Sequence, residues 1–243
     1  KTMIEIGNFF FKYRNFLFIF LYLLLFVPSP PIFSKEFFGD SYYWIPIIVG
    51  LCVTIWGQLI RGGTIGLAYI VRGGLGKKVY ADGLVTEGIF NHVRNPLYVG
   101  NILMLLGVGI LANSLIYTFI VMPLFLFIYQ CIVLAEENFL RGKFGESFDD
   151  YTKRVHRWFP NFSGLGNTFG SMEFKWKRWL IKEYNTQFIW LSGIVLILLF
   201  NYPELTNGDQ KLRNILAISC IVIFAIYYFT IRYLKKSKIW VAD

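Results

Sequence analysis

Residues 115–134 read LIYTFIVMPLFLFIYQCIVL, twenty positions without a charged side chain. A helix rises about 1.5 Å per residue, so a run of this length crosses the roughly 30 Å hydrocarbon core of a bilayer. On its N-terminal side stand a tight turn, Ala112-Asn113-Ser114, and a second apolar run, Tyr98–Leu111. The two runs predict a helical hairpin in the membrane. On the C-terminal side the text turns abruptly polar at Glu136-Glu137.

The same pattern repeats along the chain. Apolar stretches run from about Asn15 to Val27, ended by the PSPP of residues 28–31, and from Tyr43 to Ile60, closed by Arg61. Proline ends the first because it cannot continue a helical hydrogen-bond ladder. Further spans are expected over Phe188–Phe200, extended backwards, and over Asn214–Ile231. The predicted fold class is all-α. It is a polytopic transmembrane helix bundle with interfacial loops and short helices, one membrane domain over residues 1–243 with about six spans.

Composition agrees. Hydrophobic residues make up 56% of the 243 and charged residues 16%, against about 25% charged in a soluble globule. The net charge of +9 would suggest nucleic acid in a soluble protein, but here the basic residues sit between apolar spans, so no nucleic-acid partner is expected. Segments 1–14, 61–97, 136–187 and 232–243 carry net charges of +2, +3, +2 and +3, whereas 28–42 and 201–213 carry −1 and 0. The excess of Lys and Arg predicts that the first set, with both ends of the chain, faces the cytoplasm. Cys52, Cys131 and Cys220 lie in apolar runs and read as small core residues, not as a disulfide framework. No removable signal peptide is expected. His92 and His156 have no cysteine near them in a ligand spacing, so no metal site is expected.

The chemistry gathers on the inner face. Both histidines and the Glu136-Glu137 pair are there. An acid at the end of a membrane helix requires a partner or water, and Arg94 and Arg141 are the candidate partners. A helix starting near Pro96 would present free amide groups to an anionic ligand, with Arg94 beside them. The residues alone thus point to a polar pocket fed by 82–98 and 136–157, and they leave its reaction open. Residues 61–81, RGGTIGLAYIVRGGLGKKVYA, read as a glycine-rich interfacial loop.

Residues 83–100 read GLVTEGIFNHVRNPLYVG, and residues 136–160 read EENFLRGKFGESFDDYTKRVHRWFP. This pair of blocks, in this order and joined by a helical hairpin, resembles the superfamily of isoprenylcysteine carboxyl methyltransferases and phospholipid methyltransferases. The motif-bearing core covers residues 82–160, about a third of the chain. The resemblance implies S-adenosyl-L-methionine as methyl donor, bound at the cytosolic ends of the helices, and a lipophilic substrate that enters from the bilayer among membrane lipids. Carried over position by position, it implies cofactor contacts from Asp82, Gly83, Leu84, Val85, Phe90, Arg94, Asn95, Pro96, Leu97, Tyr98 and Glu136. Arg94 and Glu137 are implied as the catalytic residues. Glu136 would bind the ribose hydroxyls or the amino group, Arg94 and the amides near Pro96 the carboxylate, and Tyr98 and Phe90 the adenine or the sulfonium.

This chain departs from the family pattern at several positions. Asp82 stands where the family often has His, Phe90 and Phe148 where it has Tyr, and Asn95 where it has His. Ile132, four residues before Glu136, replaces an arginine that serves the isoprenylcysteine substrate. That weakens an isoprenylcysteine carboxylate as acceptor and leaves an oxygen, nitrogen or sulfur nucleophile on another lipophilic molecule. Two other readings stay open. One is a lipid or sterol double-bond reductase on a related membrane fold. The other is a non-enzymatic transporter, which would need polar residues near mid-span.

Overall fold

The computed structural model describes residues 2–67 and 83–242. These residues form nine α-helices. They are α1 (Thr2–Leu23), α2 (Lys35–Phe38), α3 (Trp44–Leu67), α4 (Pro96–Leu111), α5 (Met122–Phe144), α6 (Glu146–Arg154), α7 (Leu165–Gly170), α8 (Trp176–Asn201) and α9 (Gln210–Lys236). Among the described residues there is no strand, only one isolated bridge between Pro31 and Ser114. The chain is an all-α, polytopic membrane bundle.

Four helical stretches are long and apolar enough to cross a bilayer: α3, the stretch Tyr117–Phe144 that enters α5 through a π-helical turn, α8 and α9. A fifth is added if Thr2–Arg14 and Phe16–Phe26, bent by 79° against each other, make one span. The 16-residue α4 is apolar but shorter. Two boundaries differ from those expected. The first helix begins at Thr2 rather than near Asn15. The second does not close at Arg61 but continues to Leu67, because Arg61 is paired inside the bundle with Glu183 of α8.

Helices α3 and α4 run side by side on a stripe of small residues. A Cβ on Gly50 would lie 2.6 Å from the Leu111 nitrogen, and one on Gly57 would lie 2.6 Å from the Gly100 carbonyl oxygen. On the facing helix, a Cβ on Gly107 would collide with the Thr54 backbone. Lipid tails are as apolar as side chains, so close backbone approach and the dispersion it gains hold such helices together. Thr54 adds a hydrogen bond from its hydroxyl to the Met104 carbonyl at 3.1 Å. This contact places α4, and with it the second half of the first motif block, against the rest of the bundle.

Helix α5 is the central element. Phe125, Ile128, Tyr129, Cys131, Ile132 and Val133 are all buried. Phe18 of α1 packs edge-on against Phe125 and tilted against Tyr129, with centroids 5.3 and 5.4 Å apart. At the far end of the hairpin Asn113 takes a positive φ of 53°. Its side-chain oxygen accepts from the Ile32 and Phe33 amides at 2.9 and 2.8 Å, and its amide donates to the Phe33 carbonyl at 2.8 Å. The proline-rich segment is thereby tied to the expected turn. Helix α9 begins at Asp209, whose side chain accepts from the Lys211 and Leu212 amides. It lies at the periphery, with only 11% of its apolar window buried.

Candidate active site

The first motif block is an irregular strap leading into α4. It makes a 3-10 turn over Gly88–Asn91 and then enters α4, with Pro96 in its first turn. Gly88 has φ of 62°, a left-handed conformation that favours glycine, and the end of the Met172 side chain packs over it. The second block runs from the end of α5 through α6 to residue 160.

Hydrogen bonds join the first block to the second and to Asn161 just beyond it. The Tyr151 hydroxyl donates to the Phe90 carbonyl at 2.6 Å. The Asn161 amide donates to the His92 carbonyl, and the Arg94 amide to the His156 carbonyl, each at 2.9 Å. The Asn95 side-chain amide donates to the Arg157 carbonyl at 3.3 Å. Leu84 packs on a small apolar cluster of Leu140, Phe148, Tyr151 and Val155. The His92 ring is occupied in this seam. Nδ1 lies 2.6 Å from the Asn161 carbonyl and Nε2 lies 2.8 Å from the Thr168 hydroxyl. A carbonyl only accepts, so Nδ1 is the donor in the first of these contacts.

The adjacent glutamates part company, because consecutive helical residues point about 100° apart. Glu136 is half-buried and accepts from the Tyr98 hydroxyl of α4 at 2.8 Å. Glu137 is buried and accepts from Arg157 through Nε at 3.0 Å and Nη2 at 2.7 Å, a two-pronged pair. Arg94 Nε stands 3.5 Å from the same carboxylate and has no hydrogen-bond partner among the described residues. Burial pulls the Arg94 guanidinium below its ordinary range, with Glu137 acting against that. The hydrogen bond that Arg157 donates to Glu137 holds its own guanidinium above that range. Arg141, expected beside the acid pair, lies elsewhere. It pairs with Asp149 at 2.7 Å on the exposed face of α6.

The structure brings Arg94, Asn95, Pro96, Leu97, Tyr98, Glu136 and Glu137 together where α4 begins and α5 nears its end. Gly83 is exposed, Val85 half-buried, and Phe90 fully buried. Asp82 and most of the glycine-rich segment, residues 68–82, lie outside the described residues. The donor set suits a zwitterionic cofactor. Arg94 offers a buried N–H with no hydrogen-bond acceptor, and Asn95 makes no side-chain cap over the α4 amides. An anionic group would satisfy both. Glu136, half-buried with Tyr98 on one oxygen, can accept from hydroxyl or ammonium groups.

A second polar group lies deeper. Arg61 donates through Nε to Glu183 Oε2 at 2.9 Å and through Nη2 to Oε1, and its Nη1 donates to Asn101 of α4. Glu183 is only 1% exposed. Neither this pair nor Arg157 was among the residues expected in the site. Arg157 had a signal, its place in the second block beside His156. Arg61 and Glu183 are 122 positions apart, and no local pattern couples them.

Residues 46–147 match the phospholipid methyltransferase family. The cobalt-zinc-cadmium resistance protein CzcN of Cupriavidus metallidurans is 34% identical over 110 residues, 43% of this chain and 50% of that protein. A probable protein-S-isoprenylcysteine O-methyltransferase of Oryza sativa subsp. indica is 32% identical over 125 residues, 49% of this chain and 63% of that one. The protein-S-isoprenylcysteine O-methyltransferase of Schizosaccharomyces pombe is 32% identical over 77 residues, 32% of this chain and 33% of that enzyme. The chain thus spans about half the length of CzcN and less than two thirds of either methyltransferase. No solved structure matches.

Proposed function

We propose a function from the premise that this chain belongs, through residues 46–147, to the superfamily of membrane methyltransferases that includes the phospholipid and isoprenylcysteine enzymes. It transfers a methyl group from S-adenosyl-L-methionine to an oxygen, nitrogen or sulfur nucleophile on a lipophilic acceptor. One observation carries the reading within that family. The Arg94 Nε, ion-paired with Glu137 but without a hydrogen-bond acceptor, the first turn of α4 without a side-chain cap, and the Tyr98–Glu136 pair converge on one place.

The cofactor, when bound, supplies an electrophilic methyl on a sulfonium. The protein's part is binding and alignment, since this transfer requires an aligned donor and nucleophile more than it requires an acid. Arg94 and the Leu97 amide in the first turn of α4 hold the carboxylate end. Glu136, oriented by Tyr98, accepts from the ribose hydroxyls or the amino group. Glu137 acts at one remove, holding Arg157 and Arg94 so that the seam between the blocks stays closed. The site faces the cytoplasm, following the surplus of Lys and Arg on that side, and the acceptor reaches it from the bilayer.

Calorimetric titration of the detergent-solubilised protein with S-adenosylhomocysteine tests this. Saturable binding is expected, and its absence from a folded sample overturns the proposal. Glu136→Ala is expected to weaken binding at least tenfold, about 1.4 kcal/mol, while the protein remains folded. An unchanged affinity removes Glu136 from the site.

A further inference from the structure

Among the glycines that α3 turns toward α4 stand three polar residues, Thr54, Gln58 and Arg61. Thr54 Oγ1 accepts from Trp190 Nε1 of α8 at 2.6 Å, and two turns later Arg61 reaches Glu183 of α8 and Asn101 of α4. Between them, four residues after Thr54 and three before Arg61, stands Gln58, on the same face by helical spacing. It is only 7% exposed, and neither its amide oxygen nor its amide nitrogen has a hydrogen-bond partner among the described residues. A buried amide left unpaired in a membrane bundle is costly, and groups of this kind line substrate paths.

These polar residues are continuous with the proposed cofactor site. Glu136 holds the Tyr98 hydroxyl, the Tyr98 ring lies 5.4 Å from that of Tyr129, and the Tyr129 hydroxyl interacts with Asn101. Asn101 lies five residues beyond Pro96 and Tyr129 seven before Glu136. The polar layer is therefore about 8–10 Å deeper in the bundle than the cofactor-binding residues.

Resting on the methyl-transfer reading, we infer that the layer of Gln58, Asn101, Tyr129 and the Arg61–Glu183 pair recognises the polar head of the methyl acceptor, which is an uncharged lipophile bearing a hydroxyl or amide. Arg61 is matched by a two-pronged carboxylate, so its charge is already answered within the layer. The layer's open group is a neutral amide that gives one hydrogen bond and takes another, the complement of a hydroxyl.

Binding of three probes with one tail, 4-octylphenol, 4-octylbenzoate and octylamine, is measured on the full chain in detergent, for wild type and for Gln58→Met. The phenol is expected to bind wild type at least tenfold tighter than either charged probe, and Gln58→Met is expected to remove that preference. S-adenosylhomocysteine affinity should be unchanged in the variant, which also shows that it is folded. Preference for a charged probe, equal affinities in both proteins, or no probe bound above empty micelles overturns the inference. Should Gln58→Met not fold, the ranking of the three probes on wild type decides alone. Loss of S-adenosylhomocysteine binding with the phenol preference intact would instead sink the methyl-transfer reading.

Discussion

Glu136 and Glu137 are neighbours in the chain with different tasks. Glu136 meets Tyr98 and remains half open, whereas Glu137 is closed in by Arg157 and Arg94. Removing one partner of a buried pair leaves the other charge uncompensated, which costs about 3–5 kcal/mol. The Arg157 side chain is 30% exposed, so Arg157→Met is expected to cost about 1–3 kcal/mol in denaturant unfolding in detergent, less than a fully buried break. The same variant should loosen the strap and weaken S-adenosylhomocysteine binding. A stability loss without any change in affinity would make the pair a bundle staple alone. The acid pair itself was legible in the sequence, as was Arg94. Of the two expected partners Arg94 stands against Glu137 and Arg141 pairs with Asp149 instead, while Arg157 escapes the sequence because spacing along a helix says nothing about which loop folds back over it.

The apolar runs identified the helices well, and less so their ends. Helix α3 passes through Arg61 because the charge finds Glu183 in another helix, a contact no hydropathy pattern carries. Helix α4 is short, and small residues explain how it is held. The α3–α4 contact is close enough that Gly107 faces the Thr54 backbone directly, whereas Gly142 of α5 has open space around its missing Cβ. Gly107→Leu is therefore expected to destabilise by at least about 1–3 kcal/mol, the usual overpacking cost, and to displace α4 from the site. Gly142→Ala should be neutral or slightly stabilising. Thermal unfolding of both variants in one detergent checks the contrast, and equal effects would refute the close-packing account.

For the bundle as a whole, the Arg61–Glu183 pair fastens α8, which lies outside the family-matching region, to α3 within it. Arg61→Met and Glu183→Met are each expected to destabilise by about 3–5 kcal/mol, and the double variant by less than either, since it leaves no lone buried charge. Additive losses in unfolding measurements would show that the two charges act independently. The sequence was sufficient for membrane residence, the all-α class, the Tyr98–Leu134 hairpin and the two motif blocks. These follow from apolar run length, turn chemistry and short-range spacing, all properties of neighbouring residues. The division of labour between Glu136 and Glu137, the engaged His92, and the polar layer around Gln58 came only with folding. They depend on which helices lie side by side, and in a bundle of similarly apolar helices a few buried glycines, hydrogen bonds and one ion pair settle that pairing.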